Sequence, residues 1–147
     1  YCVLMKVKIK RFDSSLPIPA YQTNGAAGFD CYARETIVIP THTIAYIPLN
    51  IGLEIPEDCW VLVAARGSTH KMGIMPINGI GVGDWDFCGD NDEYKFAVYN
   101  FTDNEVTIEK GTRVAQMIIM KYEQVELTEV DHFEHKDRGA FGSTGKK

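Results

Sequence analysis

Apolar and polar side chains alternate at every second position through much of this chain, a period that belongs to strands and not to helices. Lys6, Lys8 and Lys10 alternate with Val7 and Ile9, and Ile47, Leu49, Ile51, Leu53 and Ile55 repeat the pattern. Residues 59–65 predict a continuously buried strand, and residues 94–100, 105–108 and 113–122 predict three more. Turn formers punctuate these runs: Pro40-Thr41, Pro56-Glu57-Asp58, Asp90-Asn91-Asp92, Asp103-Asn104 and Lys110-Gly111. Many short strands with regular turns predict an all-β, jelly-roll-like sandwich or barrel. A helical turn is expected only over residues 68–72, with Ser68 or Gly67 as its cap. Residues 123–135 are too polar to assign.

A chain of 147 residues supports one domain and is too short for two. No apolar run approaches the ~20 residues of a membrane span, so no membrane partner is expected. The formal net charge of −5 opposes a long nucleic-acid backbone, which basic faces normally hold. A small anionic ligand remains open to it if a few cations converge or a metal screens the charge. Cys2, Cys31, Cys59 and Cys88 lie far apart with no C-x-x-C pair, which argues against a zinc ribbon. Free thiols, and a start without a secretory pattern, lead to the expectation of a cytoplasmic protein. His132 and His135 read as a solvated stretch lacking a third strong metal ligand. Asn100-Phe101-Thr102 matches a glycosylation acceptor, but no secretory signal precedes it.

The end of the chain differs in composition. Arg138-Gly139-Ala140-Phe141-Gly142-Ser143-Thr144-Gly145 has three glycines and little apolar content, so residues 137–147 are expected to form a flexible tail beyond a β domain of residues 1–136. Glycines interleaved with Arg, Ser and Thr can wrap phosphate oxygens, and Phe141 can cover a flat ring. That combination suits a nucleotide.

Five short segments in fixed order resemble the trimeric dUTP pyrophosphatase (dUTPase) family over nearly the whole chain. They are Ala26-Ala27-Gly28-Phe29-Asp30; Ala65-Arg66-Gly67-Ser68-Thr69-His70-Lys71 followed by Gly73-Ile74; the run from Asn78 to Gly89; Gly111-Thr112-Arg113-Val114-Ala115-Gln116; and the tail. The resemblance implies a dUTPase-like β-clip, a homotrimer, and Mg2+-dependent hydrolysis of dUTP to dUMP and pyrophosphate. Five segments cannot all line one pocket of so small a sandwich without help, which is consistent with sites shared between subunits.

The resemblance also implies roles. Asp84 would be the catalytic carboxylate, orienting the water that attacks the α-phosphorus, a task suited to a base shielded from solvent. Asn78, Gly79, Val82 and Gly83 belong to a hairpin that would read uracil through an amide and main-chain groups. Without a following helix, Gly79-x-Gly81-x-Gly83 is not a dinucleotide fingerprint. Phe87 stands where the family usually has tyrosine beneath the deoxyribose, keeping the ring and losing a hydroxyl. Arg66, Gly67, Ser68 and Gln116 would serve the phosphates, with Arg66 also tying segments together through carboxylates. Gly67 replaces the serine of the family's usual Pro-Arg-Ser, and Ser68 or the Gly67 N–H would substitute for it. Asp30 would hold Mg2+ through water. Arg138 would clamp the γ-phosphate and Phe141 stack on the base, while Gly142, Ser143 and Thr144 wrap the phosphates. Two other readings stand beside this one: an enzyme related to dCTP deaminase, and a catalytically weak dUTP-binding or regulatory relative. Gly67, Phe87 and Cys88 favour the second of these.

Overall fold

The structure is a computed structural model and describes residues 4–142 and 145, so Ser143 and Thr144 of the expected phosphate wrap lie outside the described residues. The all-β expectation holds: eleven strands and a single 3-10 turn make up the regular structure of the described residues. The strands are β1 Lys8–Arg11, β2 Phe29–Tyr32, β3 Ile37–Ile39, β4 Ile44–Pro48, β5 Ile51–Glu54 and β6 Cys59–Ala65. The 3-10 turn Thr69–Met72 precedes β7 Ile74–Pro76, β8 Gly81–Gly83, β9 Lys95–Asn100, β10 Val106–Ile108 and β11 Arg113–Lys121.

A four-stranded antiparallel sheet, ordered β2-β11-β6-β8, carries the longest pairing, with Ala115 opposite Ala65 and Lys121 opposite Cys59. A three-stranded sheet β4-β9-β7 and two ribbons, β1-β5 and β3-β10, complete the fold. The core lies between these layers. Ile39, Ile47, Leu49, Ile51, Val61, Ile74, Val98, Val114 and Met117 are fully enclosed in it. Burying each such side chain contributes roughly 1.5–3 kcal/mol.

Local chemistry redraws several expected boundaries. Ile47, Leu49, Ile51, Leu53 and Ile55 are all buried as their alternation predicts, yet they do not form one strand. Asn50 sits at φ +70, its side chain bonded to the N–H and C=O of Asp13, and its own N–H donates to the Glu93 carboxylate at 3.0 Å. These contacts turn the chain from β4 into β5. Strand β6 alternates buried with half-buried residues, contrary to the expected continuous burial, because only one face of its sheet meets the core. The turn after β6 forms without a side-chain bond from Ser68 at its cap. Thr69, buried, does that work: its hydroxyl accepts from the Arg66 N–H at 2.8 Å and donates to the Val114 carbonyl at 3.0 Å.

Asn100, the apparent glycosylation acceptor, is enclosed and donates to the carbonyls of Ile39, Pro40 and Asn104. It is a corner post for the β3-β10 ribbon and out of reach of modification in the folded chain. Beyond Lys121 the described residues form no further strand or helix, and nearly all of them are exposed.

Candidate active site

Two clefts gather most of the candidate residues that precede the tail. The first, about 590 Å3, is lined by Asn78, Gly81, Val82, Gly83, Asp84, Phe87 and Tyr94, with Asn91 to Lys95 along its rim. That volume suits a nucleoside-sized ligand. It forms because β7 ends at Pro76, after which the Ile80 N–H donates to the Asn78 carbonyl and Gly79 adopts φ +75. The chain then returns as β8, pairing with β6 through Val61, Leu62 and Val63. Since β8 is the last strand of its sheet, one edge of its backbone has no strand partner and can offer N–H and C=O groups to a ligand.

Asp84 follows β8 and is exposed, with its carbonyl accepting from the Phe87 N–H at 3.2 Å. The same residue lines a neighbouring cleft of about 550 Å3 with Trp60, Trp85 and Tyr122, so it stands on the ridge between two hollows. The Phe87 ring lies edge-to-face with Tyr94, centroids 5.2 Å apart, and the two rings form an aromatic floor.

The second cleft, about 430 Å3, gathers Gly28, Asp30, Arg66, Gly67, Ser68, Arg113 and Gln116. Asp30, on β2, is buried, and its Oδ2 accepts from Arg66 Nε at 3.0 Å and Arg113 Nη1 at 3.1 Å. Arg66 Nη1 also donates to the Arg113 carbonyl at 3.0 Å, and Gln116 Nε2 donates to the Ala65 carbonyl at 2.9 Å. Two guanidiniums against one carboxylate leave the cleft with a net positive charge, suited to phosphate oxygens. Arg113 is a site residue that the sequence does not single out. Its signal was its place in Gly111-Thr112-Arg113-Val114, on a strand that pairs with Asp30's own.

Asp84 and Arg66 lie toward opposite ends of β6. Asp84 follows the residue paired with Val61, while Arg66 follows the strand's last residue. Five residues of strand, 61–65, lie between those levels, a separation of roughly 20 Å at the usual rise. Asp84 and Phe87 of one chain therefore do not share a cleft with that chain's Arg66, Ser68 and Gln116. Arg138 and Phe141 line neither, and Phe141 is fully exposed. Of the expected residues, the structure brings together Asn78, Val82, Gly83, Asp84 and Phe87 in one place, and Asp30, Arg66, Gly67, Ser68 and Gln116 in another.

Among the described residues no three His, Cys, Asp or Glu side chains converge as a metal cage. Both arginine contacts of Asp30 fall on Oδ2, which leaves Oδ1 as the atom able to accept from a metal-bound water. Among the described residues Asp30 thus offers one carboxylate oxygen to the water shell of a hydrated divalent cation such as Mg2+, and no set of protein ligands encloses a metal by itself.

An all-β clip with an edge-strand hairpin over one cleft and a cationic cleft at its other end defines a class of nucleotide-handling β proteins. The chain belongs to the dUTPase family, whose model matches residues 14–145. A deoxyuridine 5′-triphosphate nucleotidohydrolase of Orientia tsutsugamushi (strain Boryong) is 36% identical over 97% of this chain and 100% of its own. One from Finegoldia magna is 39% identical over 96% of this chain and 99% of its own. Among solved structures, a mutant dUTPase of Staphylococcus bacteriophage 80alpha bound to dUpNHpp superposes with a TM-score of 0.84 at 21% identity, covering 95% of this chain and 98% of that one. The dUTPase of Streptococcus mutans gives 0.74 at 25% identity, over 80% and 98%. The relatives named here are nucleotidohydrolases and not deaminases.

Proposed function

We propose that the chain hydrolyses dUTP between the α- and β-phosphoryl groups, with Asp84 as the base and with each site assembled from more than one subunit. The observation that carries this reading is the division of the candidate residues between two clefts of one chain. A neighbouring copy that sets its cationic Asp30-Arg66-Arg113-Gln116 cleft against the hairpin cleft supplies the phosphate half of a site whose base half is Asn78 to Phe87. Exposed apolar surface supports such assembly. Ile44, Tyr46 and Met75 lie on the β4-β9-β7 sheet with exposures of 53%, 64% and 45%, and Ile44 and Met75 share the row of Tyr99. Monomeric proteins seldom leave so contiguous an apolar face in water. A homotrimer is the assembly we assign, following the family.

In this reading the uracil pairs with the Asn78 amide and the open edge of β8, while Val82 and Gly83 shape the slot. Phe87 supports the sugar. The Asp84 carboxylate accepts a proton from water as the water oxygen bonds to the α-phosphorus, and the bond from that phosphorus to the bridging oxygen breaks, releasing pyrophosphate. Arg66, Gln116, Ser68 and the Gly67 N–H hold the phosphates in line. Bound Mg2+ would screen the triphosphate charge, its waters accepted by Asp30. Asp84 is exposed in the free chain, so water must be excluded by something that closes over it. The segment from Arg138 onward suits that task, with Arg138 on the γ-phosphate, Phe141 over the base and Gly142 to Thr144 around the phosphates. Free thiols at Cys31, Cys59 and Cys88 suit a reducing cytoplasm.

A pyrophosphate-release assay with dUTP, dTTP, dCTP and UTP, each with and without Mg2+, tests the reading as a whole. Selective, Mg2+-dependent turnover of dUTP is the expected result. Asp84→Asn should lower kcat at least a thousandfold and retain dUTP affinity; unchanged kcat removes Asp84 from the base role. Truncation after Asp137 should raise KM at least tenfold without moving Tm, and a lowered Tm would assign the tail a structural part instead.

A further inference from the structure

The phenol of Tyr94 is the one buried side-chain polar group among the described residues with no hydrogen-bond partner. Tyr94 is 5% exposed and its oxygen has almost no contact with solvent. Its backbone is already anchored: its N–H donates to the Ile51 carbonyl at 3.0 Å, and its carbonyl accepts from the Leu49 N–H at 2.9 Å. The ring is anchored as well, edge-on to Phe87. Nothing in the free chain needs the hydroxyl, and enclosing it unpaired is unfavourable where a phenylalanine would fill the same space without that cost.

Where the hydroxyl lies explains its retention. A Cβ built on Gly83 would stand 2.7 Å from the Tyr94 oxygen and 2.6 Å from its Cε1. The phenol therefore occupies the space that a side chain at 83 would take, directly beneath the β8 edge that walls the nucleoside cleft. No side chain at 83 covers the oxygen, and Tyr94 itself lines the cleft. Burial first, and then the charges of Asp84, Cys88 and Asp92, push the phenol up to about 12, so it carries its proton at any working pH. Its O–H is therefore available to donate to a carboxylate or to a ligand acceptor.

We propose that Tyr94 is a specificity-determining residue whose hydroxyl finds its partner in the nucleoside part of the substrate, donating a hydrogen bond through the floor of the cleft beside Phe87. The proposal rests on the reading of the hairpin cleft as the nucleoside site. It assigns to the residue just before β9 a hydrogen bond that the neighbouring Phe87, having no hydroxyl, cannot make.

The test is Tyr94→Phe, which removes one oxygen from a ring whose packing is otherwise unchanged. KM for dUTP and the dissociation constant for dUMP should both rise by about three- to tenfold, the effect of one neutral hydrogen bond, with kcat altered less than twofold and Tm not lowered. Unchanged affinity for both ligands overturns the proposal, as does weakened binding of dUTP with dUMP unaffected, which would place the contact at the phosphates. A lowered Tm also overturns it, since the hydroxyl would then be holding the fold. Asn78→Ala serves as the separate check on the cleft itself. If that variant binds dUMP as the parent does, the nucleoside reading fails whatever Tyr94 does.

Discussion

Gly67 stands between Arg66 and Ser68 in the cationic cleft, and nothing lies within 4 Å of where its Cβ would be. Its φ is not in the left-handed region, so neither space nor backbone conformation demands glycine there. Gly67→Ser should therefore leave Tm within a degree or two. If the phosphates lie in this cleft, a hydroxyl there adds a charge-assisted hydrogen bond worth about 1.5–3 kcal/mol, raising kcat/KM at least tenfold. Steady-state kinetics of the variant decide the matter, and an unchanged kcat/KM would show that Ser68 or the main chain already fills the role. Gly83 is the opposite case: any side chain there collides with Tyr94, so substitution should disturb the cleft floor. From the sequence both are glycines in glycine-containing segments. Only the neighbours across space separate the dispensable one from the required one.

At the scale of elements, Thr69 joins the end of β6 to β11 through two hydrogen bonds made by a single buried hydroxyl. This link sets the direction of the chain where Arg66 leaves the sheet toward Asp30 and the Arg113 carbonyl. Thr69→Val keeps the shape and removes both bonds, stranding the Arg66 N–H and the Val114 carbonyl. Denaturant unfolding should show a loss of about 2 kcal/mol. With Arg66 less well placed, KM for dUTP should rise in the same variant. The alternation of β1, β5 and β9 and the helical turn near residue 69 were legible because they rest on local period and propensity. Four short strands, β2, β3, β7 and β8, were not predicted as strands from their period. What makes them strands is pairing with partners tens of residues away.

For the whole molecule, the assignment of shared sites makes association a condition of activity. Light scattering should give three times the 16.5 kDa of one chain. Tyr46→Glu places a charge on the exposed β4-β9-β7 face, at a position 64% exposed in the single chain, so folding of the subunit should be unaffected. The variant should sediment as a smaller species and lose dUTP turnover together with its assembly; a fully active monomer would refute shared sites. The sequence by itself determined the all-β architecture, the buried alternating residues and, through five ordered segments, the family, because period, turn chemistry and motif spacing are properties of neighbours along the chain. Tertiary structure decided the rest. It set Asp30 between Arg66 and Arg113, enclosed Asn100 as a corner post, parted the candidate residues into two clefts and buried the Tyr94 hydroxyl beneath Gly83. Each of those depends on contacts between residues far apart in sequence, made only when antiparallel strands come into register, and no local pattern encodes them.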